Sequence, residues 1–219
     1  MGVRKFGALP LLTAFAFCLA AYGQQPAASV SFTLDFPGAN PSHYELVVAN
    51  DGQGSYTSNG KFDENSDAAS PAPLKFTVSQ NIRAQIFDLA KRAHYFTGKV
   101  DSGRKNIANT GAKTLAYKDA SHSSQTTYNY SPLQPIEQLT SIFQNLSTTM
   151  EFGRRLAYLH KYEKLALEDQ LKRMEDMQKE NDLGDVQAIA PVLKEIANDA
   201  SVMNVSRARA LRLLNTAGQ

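Results

Sequence analysis

The chain has 219 residues, with 23 Lys+Arg against 21 Asp+Glu, four histidines and one cysteine. Arg4 and Lys5 account for the whole basic excess, so the rest of the chain is near neutrality and lacks the surplus that non-specific nucleic-acid binding needs. A hydrophobic fraction of 42% excludes a disordered chain.

The first element is an export signal. Arg4 and Lys5 precede an uncharged apolar run from Phe6 to Ala21, and Ala21-Tyr22-Gly23 supplies the small residues of a cleavage site. This order predicts a signal peptide at residues 1–23, cleavage after Gly23, and a mature chain working in the periplasm or outside the cell. An uncleaved anchor is the rival reading, but a spanning helix needs about 20 apolar residues. The run is shorter than that and contains Pro10. Cys18 does not fit a lipid-attachment site, because Phe15 and Phe17 stand where Leu and a small residue are wanted. Cleavage would remove it, leaving no thiol chemistry. No later segment is apolar enough to span a membrane.

A first module is expected over residues 29–146. Val30, Phe32, Leu34 and Phe36 alternate with polar residues, the pattern of a half-buried strand. A second strand reads Tyr44 to Ala49, and Asn50-Asp51-Gly52-Gln53-Gly54 turns the chain into a third at Ser55-Tyr56-Thr57. A polar loop follows, Asn59 to Pro73, and then a short strand from Leu74 to Val78. Ser79 is suited to cap a helix running to about His94, with Ile82, Ile86, Leu89, Ala90 and Ala93 on its inner stripe. Two further strands, Thr114–Tyr117 and Gln125–Tyr130, flank a hairpin loop. A helix entered at Pro135 places Ile136, Leu139, Ile142, Phe143 and Leu146 inward. The expected class is α+β: an antiparallel sheet of hairpins with helices packed on one face.

A second, helical module is expected over residues 147–219. One long helix should run from about Thr149 to Asn181, with Leu156, Leu159, Leu167, Leu171 and Met174 as its seam. Glu168 with Lys172 and Asp169 with Arg173 are spaced as pairs on its exposed side. Gly184 stops it. A helix over about Val186–Asn198 follows, bent or truly started at Pro191, and a last helix carries Val205, Ala208, Leu211 and Leu214. Packed together they form a helical hairpin or bundle. The apolar seam of the long helix needs a partner, within the chain or on another protein.

The stretches Tyr44 to Tyr56, Ile82 to Phe96, Thr114 to Tyr130 and Ile136 to Phe143 give a hairpin, a helix ending in an aromatic pair, a second hairpin and a helix. In this order they resemble small exported bacterial domains of unknown function. Tyr158 to Met177, with the Arg-rich last helix, is similar to the tails of uncharacterised exported bacterial proteins. The resemblance implies export and an α+β fold, and no activity, cofactor or site residue.

Motifs for chemistry are weak. Asp63-Glu64-Asn65-Ser66-Asp67 begins like a calcium loop, but Ala68 and Leu74 occupy the positions where an EF-hand has Gly and Glu. Ser58-x-x-Lys61 and Ser102-x-x-Lys105 lie in Gly-containing loops, where the spacing aligns nothing. His43, His94, His122 and His160 are scattered and form no metal-ligand pattern. No catalytic, metal or cofactor-binding residue is therefore assigned. Tyr44, Tyr56, Tyr117, Tyr128 and Tyr130 lie on expected strands, as cross-strand pairs or as a face for a sugar or peptide. Arg154, Arg155, Lys161 and Lys164, and the set from Arg207 to Arg212, are read as solvated helix faces, the alternative being contact with an anionic membrane surface.

The expectation for function is an exported, non-enzymatic binding or interaction module of the cell envelope, with a protein partner at the C-terminal helices. The alternative is an envelope hydrolase whose site assembles only in three dimensions.

Overall fold

A computed structural model describes residues 27–61 and 72–216, together with Gly2. Apart from Gly2, the expected signal peptide lies outside the described residues, as does the acidic stretch from Asp63 to Asp67.

Among the described residues, six strands make one antiparallel sheet: β1 (Ser29–Asp35), β2 (His43–Ala49), β3 (Gln53–Ser58), β4 (Leu74–Thr77), β5 (Ala112–Lys118) and β6 (Ser123–Tyr128). Their spatial order is β4-β3-β2-β1-β5-β6. The period-2 alternation decides which side is buried. Phe32 sits opposite Leu46 on β2 and Leu115 on β5, and Leu34 sits opposite Tyr44. All of these point to one face and are buried. The other face carries Ser31, Thr33, Glu45, Ser55 and Thr114 and, among the described residues, no helix. On β3, Gly54 pairs with Phe76 of β4, and the Phe76 ring covers the space a Cβ would fill.

Among the described residues there are five α-helices: α1 (Gln80–Arg92), between β4 and β5, and, after β6, α2 (Gln134–Tyr162), α3 (Leu167–Lys179), α4 (Ala190–Asn198) and α5 (Asn204–Thr216). Ser79 caps α1 as expected, its hydroxyl accepting from the Ile82 amide. His94, Tyr95 and Phe96 then take left-handed conformations, with φ of 50°, 53° and 66°. Such conformations cost about 1–3 kcal/mol each for non-glycine residues. The turn buries Phe96 and sets the Tyr95 ring 4.5 Å from that of Tyr117. Phe143 of α2 stacks on Phe32 at 5.5 Å, joining helix layer to sheet.

The α+β class is as the pattern indicated, but helix boundaries in the second half differ. α2 is continuous for 29 residues and passes through Leu146 and Ser147, where the sequence pattern divides the two modules. The expected helix from Thr149 to Asn181 is broken at Glu163, whose φ of −142° is not helical. A straight helix from residue 134 to 181 would be about 70 Å long. The reversal instead lets Leu167, Leu171 and Met174 of α3 join the buried cluster that also contains Val30 and Leu213. α3 stops at a left-handed Asn181, φ 61°, and not at Gly184. Gly184 serves a close approach: its amide donates to the Asn145 carbonyl and to Thr149 Oγ1, and a Cβ would lie 2.5 Å from the Leu146 nitrogen. Pro191 stands in the first turn of α4, so it marks a helix start.

The surface pairs expected along the long helix are replaced by ties between helices. Glu168 accepts from Arg209 Nε at 2.9 Å, and Glu175 accepts from Arg209 and from Arg212 Nε, the latter at 2.7 Å. The arginines of α5 thus clamp it to α3. Arg207 donates to the Ala197 carbonyl at the end of α4. Among the described residues, no helix is long and apolar enough to cross a membrane.

Candidate functional site

The most structured polar region lies where α2 crosses the end of the sheet. On α2, residues Gln144, Ser147, Thr148, Glu151 and Arg155 recur at three- and four-residue spacing and share one side of the helix. Met150, Gly153, Arg154 and Ala157 form the adjacent side. Each side lines its own cleft.

Between the two clefts stands a chain of hydrogen bonds. The Tyr56 hydroxyl donates to Glu151 Oε1 at 2.6 Å. Arg154 Nη1 donates to both Glu151 oxygens, at 2.6 and 2.8 Å, and to Ser58 Oγ at 3.1 Å, while Nη2 reaches the Gly60 carbonyl at 3.0 Å. Ser147 Oγ lies 3.2 Å from the Tyr56 oxygen. Burial, with the Glu151 charge and hydrogen bond second, holds the Tyr56 phenol far above its ordinary range. Burial pushes Tyr44 up to about 12, offset in part by a hydrogen bond from Ser147. Every oxygen of Glu151 is therefore occupied by strong donors, and its charge is matched by Arg154. A general base needs a lone pair directed at substrate. Here the carboxylate fixes the wall of the clefts.

The first cleft, about 450 Å³, lies between α2, the β1–β2 loop and α3. Leu34, Tyr44 and Phe152 form its apolar part, and Lys61, Arg155 and Arg173 its cationic part. Asn40 holds Lys61 at the rim through two backbone bonds, Nδ2 to the Lys61 carbonyl and the Lys61 amide to Oδ1, both 2.9 Å. Arg173 lies over the Phe152 ring at 5.8 Å. The second cleft, about 520 Å³, is more apolar, lined by Leu74, Met150, Ala157, Ile189 and Val192.

The five tyrosines singled out from the sequence do not form one open face. Tyr44, Tyr56, Tyr117 and Tyr128 point to the helix-covered side and are buried, because even-spaced positions on the strands share the side that carries the core. Tyr44 lines the first cleft and Tyr56 the second. Tyr128 meets Thr140 of α2 through its hydroxyl at 2.5 Å. Tyr117 donates to Asp119 at 2.9 Å, and Tyr130, past the end of β6, is exposed.

The histidines sit elsewhere. At the β5–β6 turn, Ser121, His122 and Asp119 hold the residue types of a catalytic triad, but hydroxyl and carboxylate both address the same ring nitrogen, Nδ1. A proton relay needs the acid on one nitrogen and the nucleophile on the other. Asp119 also accepts from the Ser121 and His122 amides, the first of which is the chief reason its carboxyl is held well below the usual range. His160 bonds Asp199 at 2.9 Å, and Lys164 reaches Asp199 and Ser201 at 2.6 Å each. This group stitches the α2–α3 corner to the α4–α5 corner, and its hydrogen bonds, that from Lys164 foremost, keep the Asp199 carboxyl ionised. His43 pairs with Asp35 at the sheet end, and His94 lies exposed after α1. Of the two Ser-x-x-Lys matches, Ser58 is taken by Arg154 and Gly60, and Ser102 Oγ accepts from the Arg104 amide. Among the described residues, no three of His, Cys, Asp or Glu are grouped to hold a metal ion.

No family model matches the chain, and no curated protein is significantly similar to it.

Proposed function

We propose that the protein is an exported, non-enzymatic binding module of the cell envelope, with the first cleft as its ligand site. The observation that carries this reading is the state of the polar groups around the cleft. Those of the partition are engaged with each other, whereas Lys61, Arg173, Gln144 and Gln170 line the cleft with no side-chain hydrogen bond or ion pair among the described residues. Groups positioned in this way can hold a ligand, and none is paired as nucleophile and base. Export follows from the N-terminal pattern. The same proposal places a protein partner at the C-terminal helices, where Tyr162 and Leu165 are exposed at the α2–α3 corner. The near-neutral charge after Lys5 argues against nucleic acid as the ligand.

The test uses full-length protein with a C-terminal tag in an envelope-bearing host, compared with Thr148→Trp, whose ring would fill the cleft. Retention on purified envelope fractions by the wild type and its loss in Thr148→Trp, with an unchanged circular dichroism spectrum, are expected. Uncleaved protein confined to the cytoplasm, or equal retention of both forms, overturns the proposal.

A further inference from the structure

We propose that β6 pairs edge to edge with β6 of a second copy of this chain, across a two-fold axis at Gln125, joining two six-stranded sheets into one. The proposal does not rest on the first cleft as the ligand site.

The outer edge of β6 is defined by its bonds to β5. The Asp119 amide donates to the His122 carbonyl, and the strand register continues from there. Bonded pairs alternate in an antiparallel ladder, so Tyr117 bonds Ser124, Leu115 bonds Thr126 and Lys113 bonds Tyr128. Ser123, Gln125 and Thr127 therefore turn their amides and carbonyls away from β5, and these groups have no hydrogen-bond partner among the described residues. Asn129, the next residue of that parity, is closed off, its amide donating to Asp101 Oδ2 at 3.0 Å. The His94–Phe96 turn meets β6 from the helix side, where Ser124 Oγ donates to the Tyr95 carbonyl at 2.5 Å.

Open edges invite pairing, and proteins blunt them with charge, proline, bulges or brevity. β4, at the opposite edge, has four residues, carries Lys75 and follows Pro73. β6 has six residues, none of them charged and none a proline, and it pairs with β5 without a bulge. Such an edge accepts the backbone of another strand.

A second β6 is the strand that fits. Residues opposite each other in an antiparallel pair share a face of the sheet, so residues of like parity must meet. Gln125 against Gln125, with Ser123 against Thr127 of the second copy, meets that condition and exchanges about six backbone hydrogen bonds. A two-fold axis generates this register by itself. The helix-covered sides stay together, and neither β6 carries a charge that repels its counterpart. Past Thr127 the same register brings the Asp119 turn of one copy level with Asn129 of the other. There the segment with the exposed cations Arg104 and Lys105 is tied down through Asp101 and Ser102, so the charges brought together are opposite.

The experiment is sedimentation equilibrium of the protein purified from an envelope-bearing host, over a range of concentrations, beside Gln125→Lys, Gln125→Glu and Gln125→Pro. Reversible dimerisation of the wild type is expected. Lysine or glutamate alone sets like charges opposite each other across the axis and weakens the dimer roughly fivefold or more. Proline removes an outward amide, leaves the bonds to β5 intact and weakens it further. An equimolar mixture of the lysine and glutamate variants recovers the dimer, as contact of residue 125 with its own copy requires. Circular dichroism spectra of all forms stay unchanged. A wild type that is monomeric throughout, a dimer indifferent to the three variants, or a mixture that stays monomeric overturns the proposal. A monomer whose Gln125 and Thr127 amides exchange more slowly on adding a peptide of alternating threonine and glutamine assigns the edge to a foreign strand, and overturns the second copy.

Discussion

Replacing Arg154 with Met removes the one cation paired with Glu151 among the described residues and keeps most of the side-chain volume. The Arg154 side chain is 8% exposed and that of Glu151 24%. Breaking a buried pair by deleting one partner costs about 3–5 kcal/mol, because the remaining charge is left uncompensated. Partial exposure lets water reach Glu151, which places the expected loss at the lower end, about 3 kcal/mol. For a chain of this size, 1 kcal/mol shifts Tm by roughly 2–4 °C, so the fall is about 6–12 °C. The double variant Glu151→Met, Arg154→Met removes both charges, and it should recover to within about 1–2 kcal/mol of wild type, since replacing a buried ion pair with apolar residues is often neutral. Urea unfolding followed by circular dichroism gives all three stabilities. A loss below 1 kcal/mol for Arg154→Met, or a double variant no more stable than the single one, would refute the reading of this network as a pre-neutralised wall.

Gly184→Ala forces a methyl group against the backbone of α2 at Leu146 and should cost about 1–3 kcal/mol by overpacking, read as a lower urea midpoint at unchanged slope. Arg209→Met leaves Glu168 and much of Glu175 without their partner on α5. Hydrogen exchange should then quicken in α5 before it does in the sheet, whereas uniform exchange would show that the clamp is not local. Alkali should unfold the protein through its buried phenols. Burial holds Tyr44, Tyr117 and Tyr128 at about 12 and Tyr56 higher, whereas an unfolded tyrosine ionises near 10. Above pH 10 the unfolded chain sheds protons that the folded chain keeps, so stability present below that pH falls as pH rises towards 12. Phenolate absorbance and Tm recorded together test this, and full phenolate signal in a chain that stays folded contradicts it.

The sequence by itself determined the elements whose signal is local. Alternation at Val30, Phe32 and Leu34 fixed the buried side of β1, and Ser79 and Pro135 fixed two helix starts, because period and capping depend only on neighbours in the chain. The site was less legible. Its α2 residues, Gln144 to Arg155, lie astride the point where the chain had been divided between modules, and their polar spacing reads as an exposed helix face. The tyrosines were identifiable as strand residues, but whether their side faced water or helices depended on where α2 packed. The break at Glu163 has no glycine or proline to announce it, and it arises from the packing of α3 back onto α2 and α5. In the sequence Gly184 reads as a helix stop, whereas the close approach to Leu146 that requires it exists only once α2 is in place. Tertiary structure also redirected the charges, taking Glu168 to Arg209 and Arg173 to Phe152. An ion pair one turn apart on a surface contributes only tenths of a kcal/mol, so contacts between helices readily outcompete it.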